Sequence, residues 1–164
     1  MSDKKPKIGV VGAGHLGKHH IKHLSNHKGV DFIGVFDINE DSLKNICDEF
    51  SVKPLQNLEE LISLCDAVNI VTPTNTHFDI ARKFLNQMKD VFIEKPLTNT
   101  VEEALSLIDL AKTNECILQV GHIERFNPTI NKLKELVDNP HYIEIERLAP
   151  VSYTHLRAHE TLRY

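Results

Sequence analysis

Residues 8–17 read Ile-Gly-Val-Val-Gly-Ala-Gly-His-Leu-Gly. The first four residues are typical of a short buried strand, and the glycines after them have the G-x-G-x-x-G spacing. In that pattern Gly12 permits a tight turn, Gly14 lets backbone N–H groups approach a pyrophosphate, and Gly17 lets the next helix pack against the strand. The start of that helix supplies unpaired N–H groups and a positive dipole end. The predicted phosphate-binding residues are Gly12, Gly14, His15, Leu16 and Gly17.

An acid follows the second apolar segment at the distance that a dinucleotide-binding βαβ unit requires. Asp37 lies 20 residues past Gly17, directly after the strand pattern at 32–36. A carboxylate there accepts hydrogen bonds from the hydroxyls of the adenosine ribose, and it repels a 2′-phosphate. A glycine pattern alone can also serve strand–helix packing, but the combination predicts NAD as the cofactor, with NADP less favoured.

The bulk properties are those of a globular chain without marked charge bias. The 164 residues include 19 basic and 23 acidic side chains, which gives a net charge of −4. No basic cluster indicates nucleic-acid binding, and no apolar run approaches the ~18 residues of a membrane span. The three cysteines lack C-x-x-C spacing, which favours reduced thiols. We expect a cytoplasmic protein that binds neither nucleic acid nor membrane.

Strand and helix patterns alternate along the rest of the chain, which predicts an α/β fold with a doubly wound parallel sheet. Further strands are predicted at 67–71, 91–93 and 117–120, the last as the sixth strand of a complete pair of mononucleotide-binding halves. The side chains predicted to cap helices are Asn39, Asn57, Thr76 and either Asn99 or Thr100.

Three short polar segments follow predicted strands, at the sheet edge where open α/β sheets bind ligands. The segments are Thr72-Pro73-Thr74-Asn75-Thr76-His77, Glu94-Lys95-Pro96 and Gly121-His122-Ile123-Glu124-Arg125-Phe126. Together with the glycine loop, they resemble the Gfo/Idh/MocA family of NAD(P)-dependent oxidoreductases. The resemblance covers residue 7 to about residue 148, and its specificity comes from the combination of motifs.

The resemblance implies roles for individual residues. Glu94-Lys95-Pro96 matches the family's EKP motif, so Lys95 is expected to reach the nicotinamide ribose and the substrate hydroxyl, and to act as base or proton relay. We expect partial burial of Lys95 to favour its neutral form, and Glu94 to orient it. The implied cofactor contacts are Thr72, Pro73, Asn75, His77, Glu94 and Lys95. The implied substrate contacts are Lys95, His122 and Arg125.

Alternative roles remain open for some of these residues. The loop after the strand at 67–71 can serve helix capping alone, and His122 and Arg125 can instead tie two domains together. Two alternative functions also remain. One is a different NAD enzyme, of the amino-acid dehydrogenase or dihydrodipicolinate reductase type, and the other is an NAD-binding sensor without catalysis.

The family resemblance implies a sugar dehydrogenase that transfers a hydride from a secondary alcohol carbon to NAD. Residues 121–128 look most like members that act on nucleotide-linked amino sugars. The family usually carries a second catalytic residue and an oligomer interface on a C-terminal domain beyond residue 150. We therefore expect this chain to bind the cofactor without turnover, and the full-length parent to be a homo-oligomer.

The predicted organisation has three parts. Residues 1–126 form a Rossmann NAD(P)-binding domain, residues 127–150 hold a linker helix and the first strand of the C-terminal domain, and residues 151–164 are a non-native tail. Pro128 suits the first turn of the linker helix, and the alternation at 141–148 is typical of a strand with one exposed face. The tail resembles a translated sequencing adapter more than an ordinary polar terminus, so we exclude it from the fold.

Histidines recur at four-residue spacing along the first predicted helix. They are His15, His19, His23 and His27. Residues four apart share a helix face, so two of these imidazoles can approach one metal ion. No cysteine or acidic third ligand lies nearby in the sequence, which favours a solvated flank and no metal site. His20 is predicted to pack inward beside Leu24.

Overall fold

The computed structural model describes residues 4–142 and residue 144. The chain forms two compact units, of which the first ends at Ile123 and the second begins at Glu124. The strand predicted at 141–148 lies mostly outside the described residues, and the tail predicted at 151–164 lies entirely outside them.

A five-stranded parallel sheet organises the first unit, with the order β2-β1-β3-β4-β5. Its strands are β1 (Lys7–Val11), β2 (Asp31–Phe36), β3 (Ala67–Ile70), β4 (Asp90–Ile93) and β5 (Leu118–Val120). All four neighbouring pairs are parallel. The predicted doubly wound α/β fold is therefore confirmed.

Helices connect the strands and cover the sheet. They are α1 (His15–Asn26), α2 (Glu40–Phe50), α3 (Leu58–Leu64), α4 (His77–Asn86), α5 (Val101–Thr113) and, in the second unit, α6 (Pro128–Leu136). Short 3-10 turns lie at Thr74–Thr76 and Ile123–Phe126. Within the described part of the chain, no helix has both the length and the apolar character that crossing a membrane requires.

Most of the predicted helix caps form as expected. The side chains of Asn39 and Asn57 each accept a hydrogen bond from a backbone N–H three residues further on. Thr100, rather than Asn99, caps α5 and forms a reciprocal capping box. The prediction for Thr76 is wrong, because its side chain accepts no N–H from α4, and its hydroxyl donates to the Pro73 carbonyl at 2.8 Å.

The expectation of six strands is also wrong for the described residues, which form five. Where a further strand would extend the sheet beyond β2, Val35 and Pro54 make a single bridge. The Val35 N–H donates to the Lys53 carbonyl at 3.0 Å, and the Leu55 N–H donates to the Val35 carbonyl at 2.8 Å. Only residues 51–57 separate α2 from α3, and proline in that segment suits an edge because it has no outward N–H to donate.

Two apolar clusters form the core of the first unit. Successive strand residues point to opposite faces of a sheet, so Val10 and Val11 belong to different clusters. The larger cluster packs α3, α4 and α5 against the sheet and includes Phe84, which is fully buried. The smaller cluster includes Ile21 of α1 and Ile46 of α2. The two helix layers therefore lie on opposite faces of the sheet.

The three cysteines have free thiols of unequal accessibility. Cys65 is 1% exposed, and burial raises the pKa of its thiol to about 11. The thiolate is the reactive form, so we expect Cys65 to react last with Ellman's reagent at pH 8 in the native chain. The half-buried Cys116 should react before it, although burial also raises the pKa of that thiol. Mass mapping of partly labelled protein checks the order, which should disappear in denaturant.

Candidate cofactor-binding and active site

The register of the sheet aligns the ends of four neighbouring strands. The aligned residues are Val11, Ile70, Ile93 and Val120. Thr72, Lys95 and His122 each lie two residues beyond an aligned position. All three therefore lie at the carboxyl edge of the sheet, as does the glycine loop that follows β1.

The three loop glycines serve different physical purposes. Gly12 has a φ of +109°, and a Cβ there would collide with the Val71 carbonyl. A Cβ at Gly17 would collide with the carbonyl oxygen of Gly12. At Gly14 a Cβ would meet nothing within 4 Å. Gly12 and Gly17 therefore hold the turn and the helix together, whereas Gly14 borders open space in front of α1.

The N-terminus of α1 faces this open space. Gly14 is the N-cap and makes no side-chain cap hydrogen bond, and the Lys18 N–H donates to the Gly14 carbonyl at 3.0 Å. The N–H groups of the first turn before Lys18 have no carbonyl one turn earlier to bond. His15 and Leu16 open the helix with exposed side chains. These features fit the pyrophosphate of a dinucleotide.

Asp37 connects the end of β2 to the glycine loop. Its Oδ2 accepts a hydrogen bond from the Ala13 N–H at 2.6 Å, and its Oδ1 accepts one from the Asn39 N–H at 2.8 Å. Each oxygen of an ionised carboxylate can accept a further hydrogen bond. The half-buried Asp37 thus shapes the loop and still has acceptor capacity for ribose hydroxyls.

The segment after β3 is held by His77. This side chain is 1% exposed, with Nε2 at 2.8 Å from the Thr72 carbonyl oxygen and Nδ1 at 2.9 Å from the Pro96 carbonyl oxygen. These contacts involve both ring nitrogens, and the contact of His77 with a cofactor stays a prediction. Pro73 and Asn75 in the same segment are exposed, and Thr72 is half-buried.

Glu94 and Lys95 differ sharply in their surroundings. The Glu94 side chain is 13% exposed, with Oε1 at 3.0 Å from His20 Nε2, and its Oε2 accepts a hydrogen bond from the Lys95 backbone N–H at 3.2 Å. The Lys95 side chain is exposed. The expected partial burial of Lys95 is therefore not found, and Glu94 contacts the backbone of Lys95 instead of its ammonium group.

Sequence reasoning missed the contacts that His20 and Asn69 make at this site. Asn69 Nδ2 lies 3.1 Å from His20 Nδ1, and the His20 ring lies 5.5 Å from the Phe92 ring. The prediction that His20 only packs beside Leu24 was incomplete. Asn69 carried a usable signal, because a polar residue between two buried strand neighbours needs a hydrogen-bond partner.

Gly121 leaves room for the Glu94 carboxylate because it has no side chain of its own. A Cβ at this position would lie 2.9 Å from the Glu94 carboxylate, so glycine leaves the space that the carboxylate occupies. His122 follows Gly121 with an exposed side chain. Arg125 is exposed in the second unit, and its substrate contact stays a prediction.

The histidine flank of α1 forms no ligand cluster. The rings of His15 and His19 lie edge to face at 5.4 Å. Across residues 4–142 and 144, no three histidine, cysteine or acidic side chains are arranged to hold a metal ion.

Known proteins resemble this chain in sequence. The profile of the Gfo/Idh/MocA family, described as an oxidoreductase family with an NAD-binding Rossmann fold, matches residues 6–122. UDP-N-acetylglucosamine 3-dehydrogenase from Acidithiobacillus ferrooxidans is 37% identical over 145 residues, which are 88% of this chain and 46% of that enzyme. Myo-inositol 2-dehydrogenase from Thermotoga maritima is 32% identical over 152 residues, again 88% of this chain and 46% of the relative.

Solved structures resemble it as well. A structure of UDP-N-acetylglucosamine 3-dehydrogenase from Acidithiobacillus ferrooxidans has a TM-score of 0.76 and 34% identity, covering 81% of this chain and 42% of that one. GenD2 from gentamicin A biosynthesis, solved in complex with NAD, has a TM-score of 0.78 and 25% identity, covering 83% and 40%. This chain therefore spans less than half the length of these proteins.

Proposed function

We propose, since this chain belongs to the Gfo/Idh/MocA oxidoreductase family with its NAD-binding Rossmann fold, that its first unit holds NAD for the oxidation of a sugar alcohol by the full-length protein. One observation carries the proposal. The sheet register places the glycine loop, Thr72 and Lys95 at one edge. This arrangement supports one ligand site that the proposed phosphate-binding and proton-transferring groups share.

The residues at this edge fit NAD. The open space at Gly14 and the α1 N-terminus suit the pyrophosphate, and the carboxylate of Asp37 suits the adenosine ribose. Thr72, Pro73 and Asn75 are proposed to line the nicotinamide end. NAD supplies the hydride acceptor when bound, and the protein must then orient the carbinol and remove its proton.

Lys95 is the proposed group for that proton transfer. Its exposed ammonium group stands at the carboxyl end of β4 on a backbone fixed by Glu94. A charged lysine binds and orients the substrate hydroxyl, and a neutral one accepts its proton. Enclosure of Lys95 by bound cofactor and substrate favours the neutral form, because desolvation disfavours charge.

The proposed substrate is a sugar or cyclic polyol, and within that class a nucleotide-linked amino sugar. The 37% identity to a UDP-N-acetylglucosamine dehydrogenase supports this choice, as does the pattern of residues 121–128. His122 and Arg125 are the proposed substrate contacts in this chain. We further propose a cytoplasmic homo-oligomer that does not bind nucleic acid, in line with the net charge of −4.

Cofactor preference provides the test of the proposed NAD site. NADH should bind this chain more tightly than NADPH, because Asp37 offers acceptors to the ribose diol and meets a 2′-phosphate with like charge. Asp37→Ser should narrow the difference and weaken NADH binding, since it also removes the acceptor of the Ala13 N–H. Fluorescence titration of both cofactors measures these affinities.

A matched control for this titration is Asp41→Ser, which changes an exposed acid in the first turn of α2. It removes the same charge nearby without touching the glycine loop, so the NADH preference should persist. Equal affinities in the unaltered chain, or tighter NADPH binding, would contradict the role of Asp37. Full-length protein that binds NADH but oxidises none of a panel of sugar nucleotides and inositols would favour a sensor instead.

A further inference from the structure

The Glu94-Lys95-Pro96 segment is contacted by one histidine on each side of Lys95. His20 of α1 contacts the Glu94 carboxylate, and His77 of α4 contacts the Pro96 carbonyl. These helices belong to the two layers on opposite faces of the sheet. The residues before and after Lys95 are therefore held from both faces.

The contacts of His20 define its tautomer. The Asn69 amide nitrogen only donates, so His20 Nδ1 accepts, and Nε2 must then carry the proton that is donated to Glu94 Oε1. The same carboxylate accepts the Lys95 backbone N–H through its other oxygen. Asn69, His20 and Glu94 thus form one directed chain of hydrogen bonds that ends on the backbone of Lys95.

His77 links two backbone segments of the site. Its ring nitrogens lie 2.8 Å from the Thr72 carbonyl oxygen and 2.9 Å from the Pro96 carbonyl oxygen. A carbonyl oxygen only accepts, and either neutral tautomer of the ring has one N–H to donate. The buried ring therefore donates to one of these carbonyls and lies in contact with the other, which ties the backbone at Thr72 to the backbone at Pro96.

The sheet contributes few hydrogen bonds to the Glu94-Lys95-Pro96 segment. The last one is donated by the Glu94 N–H to the Ile70 carbonyl at 3.0 Å. The Lys95 N–H bonds the Glu94 carboxylate, and Pro96 has no N–H. Side chains from distant parts of the sequence therefore take the place of sheet hydrogen bonds here. They fix the backbone from which the long Lys95 side chain extends.

We propose that His20 and His77 are positioning residues for Lys95, with His20 acting through Glu94 as an Nε2–H tautomer and His77 acting through Pro96. This inference rests on the proposed function, which assigns proton transfer to Lys95, but the contacts themselves do not require a bound cofactor. Neither histidine touches substrate. Each fixes the backbone from which the Lys95 ammonium group approaches it.

The first experiment is nuclear magnetic resonance on this chain, labelled with ¹⁵N and without cofactor. The ring nitrogens should show His20 protonated at Nε2, and the His77 ring N–H should exchange slowly with solvent because the buried ring donates it to a backbone carbonyl. In His20→Phe the Lys95 amide signal should shift, and its hydrogen exchange should quicken by about fivefold or more, the equivalent of one lost hydrogen bond of about 1 kcal/mol. His20→Gln, which retains a donor, should restore part of the protection.

The matched control is His23→Phe, which makes the same replacement at an exposed position on α1. It should leave the Lys95 amide unchanged. Melting curves screen every variant for folding, and the ring signals of the unaltered chain test the assignment without any substitution. A His77 ring N–H that exchanges with solvent as fast as that of the exposed His23, or a Lys95 amide that responds equally to His23→Phe, would overturn the proposal.

The second experiment uses the full-length protein. His20→Phe should lower kcat by about tenfold or more, since small misplacements of a reacting group are costly, while the dissociation constant of NADH stays nearly unchanged. An unchanged kcat would overturn the positioning role of His20. Absence of NADH binding to the unaltered chain would instead count against the proposed function, because the first experiment needs no cofactor.

Discussion

Replacing Lys95 with alanine should lower the turnover of the full-length protein by about 10² or more, the range expected for a lost acid–base group. NADH affinity should remain nearly intact. The side chain is exposed at the carboxyl end of β4, whereas the proposed phosphate-binding groups lie in the loop after β1. The substitution thus removes the proposed proton-transferring group and leaves the proposed pyrophosphate site in place. Steady-state kinetics with a fluorescence titration of NADH measures both effects.

The control for this variant is Lys112→Ala, which changes an exposed lysine in the last turn of α5. It makes the same change in charge and side-chain size away from the proposed site, so turnover should be unaltered. A Lys95→Ala protein with normal turnover would exclude Lys95 from the chemistry. A variant that loses turnover and NADH affinity together would assign Lys95 to cofactor binding only.

Alanine at Gly17 and alanine at Gly14 should have opposite effects on stability and binding. A methyl group at Gly17 meets the Gly12 carbonyl oxygen, so the helix or the turn must shift, at a cost of about 1–3 kcal/mol or more. A methyl group at Gly14 meets nothing within 4 Å, and a φ of −74° is allowed for alanine. Gly14→Ala should therefore change the free energy of unfolding by no more than about 0.5 kcal/mol.

The same methyl group at Gly14 enters the space proposed for the pyrophosphate. NADH affinity should fall by about tenfold, the equivalent of about 1.4 kcal/mol. Denaturant unfolding and NADH titration on both variants separate the two effects. If Gly14→Ala bound NADH normally, the role of Gly14 in cofactor binding would be wrong. If Gly17→Ala were as stable as the unaltered chain, the role of Gly17 in packing the helix against the turn would be wrong.

The sequence predicts those parts of the fold that depend on residues close together in the chain. The first βαβ unit follows from residues 8–17 and Asp37, and the caps at Asn39 and Asn57 follow from single side chains beside their own helices. The cap at Thr76 failed for a local reason, because its backbone is already helical where an N-cap residue is extended, and its hydroxyl turns back to the Pro73 carbonyl. The expectation of six strands failed because it assumed a complete pair of mononucleotide-binding halves, whereas only seven residues separate α2 from α3.

The site was harder to predict because its connections join distant residues. His20 and Glu94 are 74 positions apart, and Asn69 and His20 are 49 positions apart. No periodicity in either helix or strand indicates such pairs. The burial expected for Lys95 was an assumption about its surroundings, and the described residues leave that side chain exposed.

The close approach of Gly121 to the Glu94 carboxylate limits how this family member can diversify. Any side chain at 121 meets the Glu94 carboxylate that bonds the Lys95 backbone N–H, so under the proposed function a change made there for a new substrate would also move Lys95. His122, one residue further along, is exposed and carries no such constraint. Under the proposed function, substitutions that change the substrate are therefore expected at His122 rather than at Gly121.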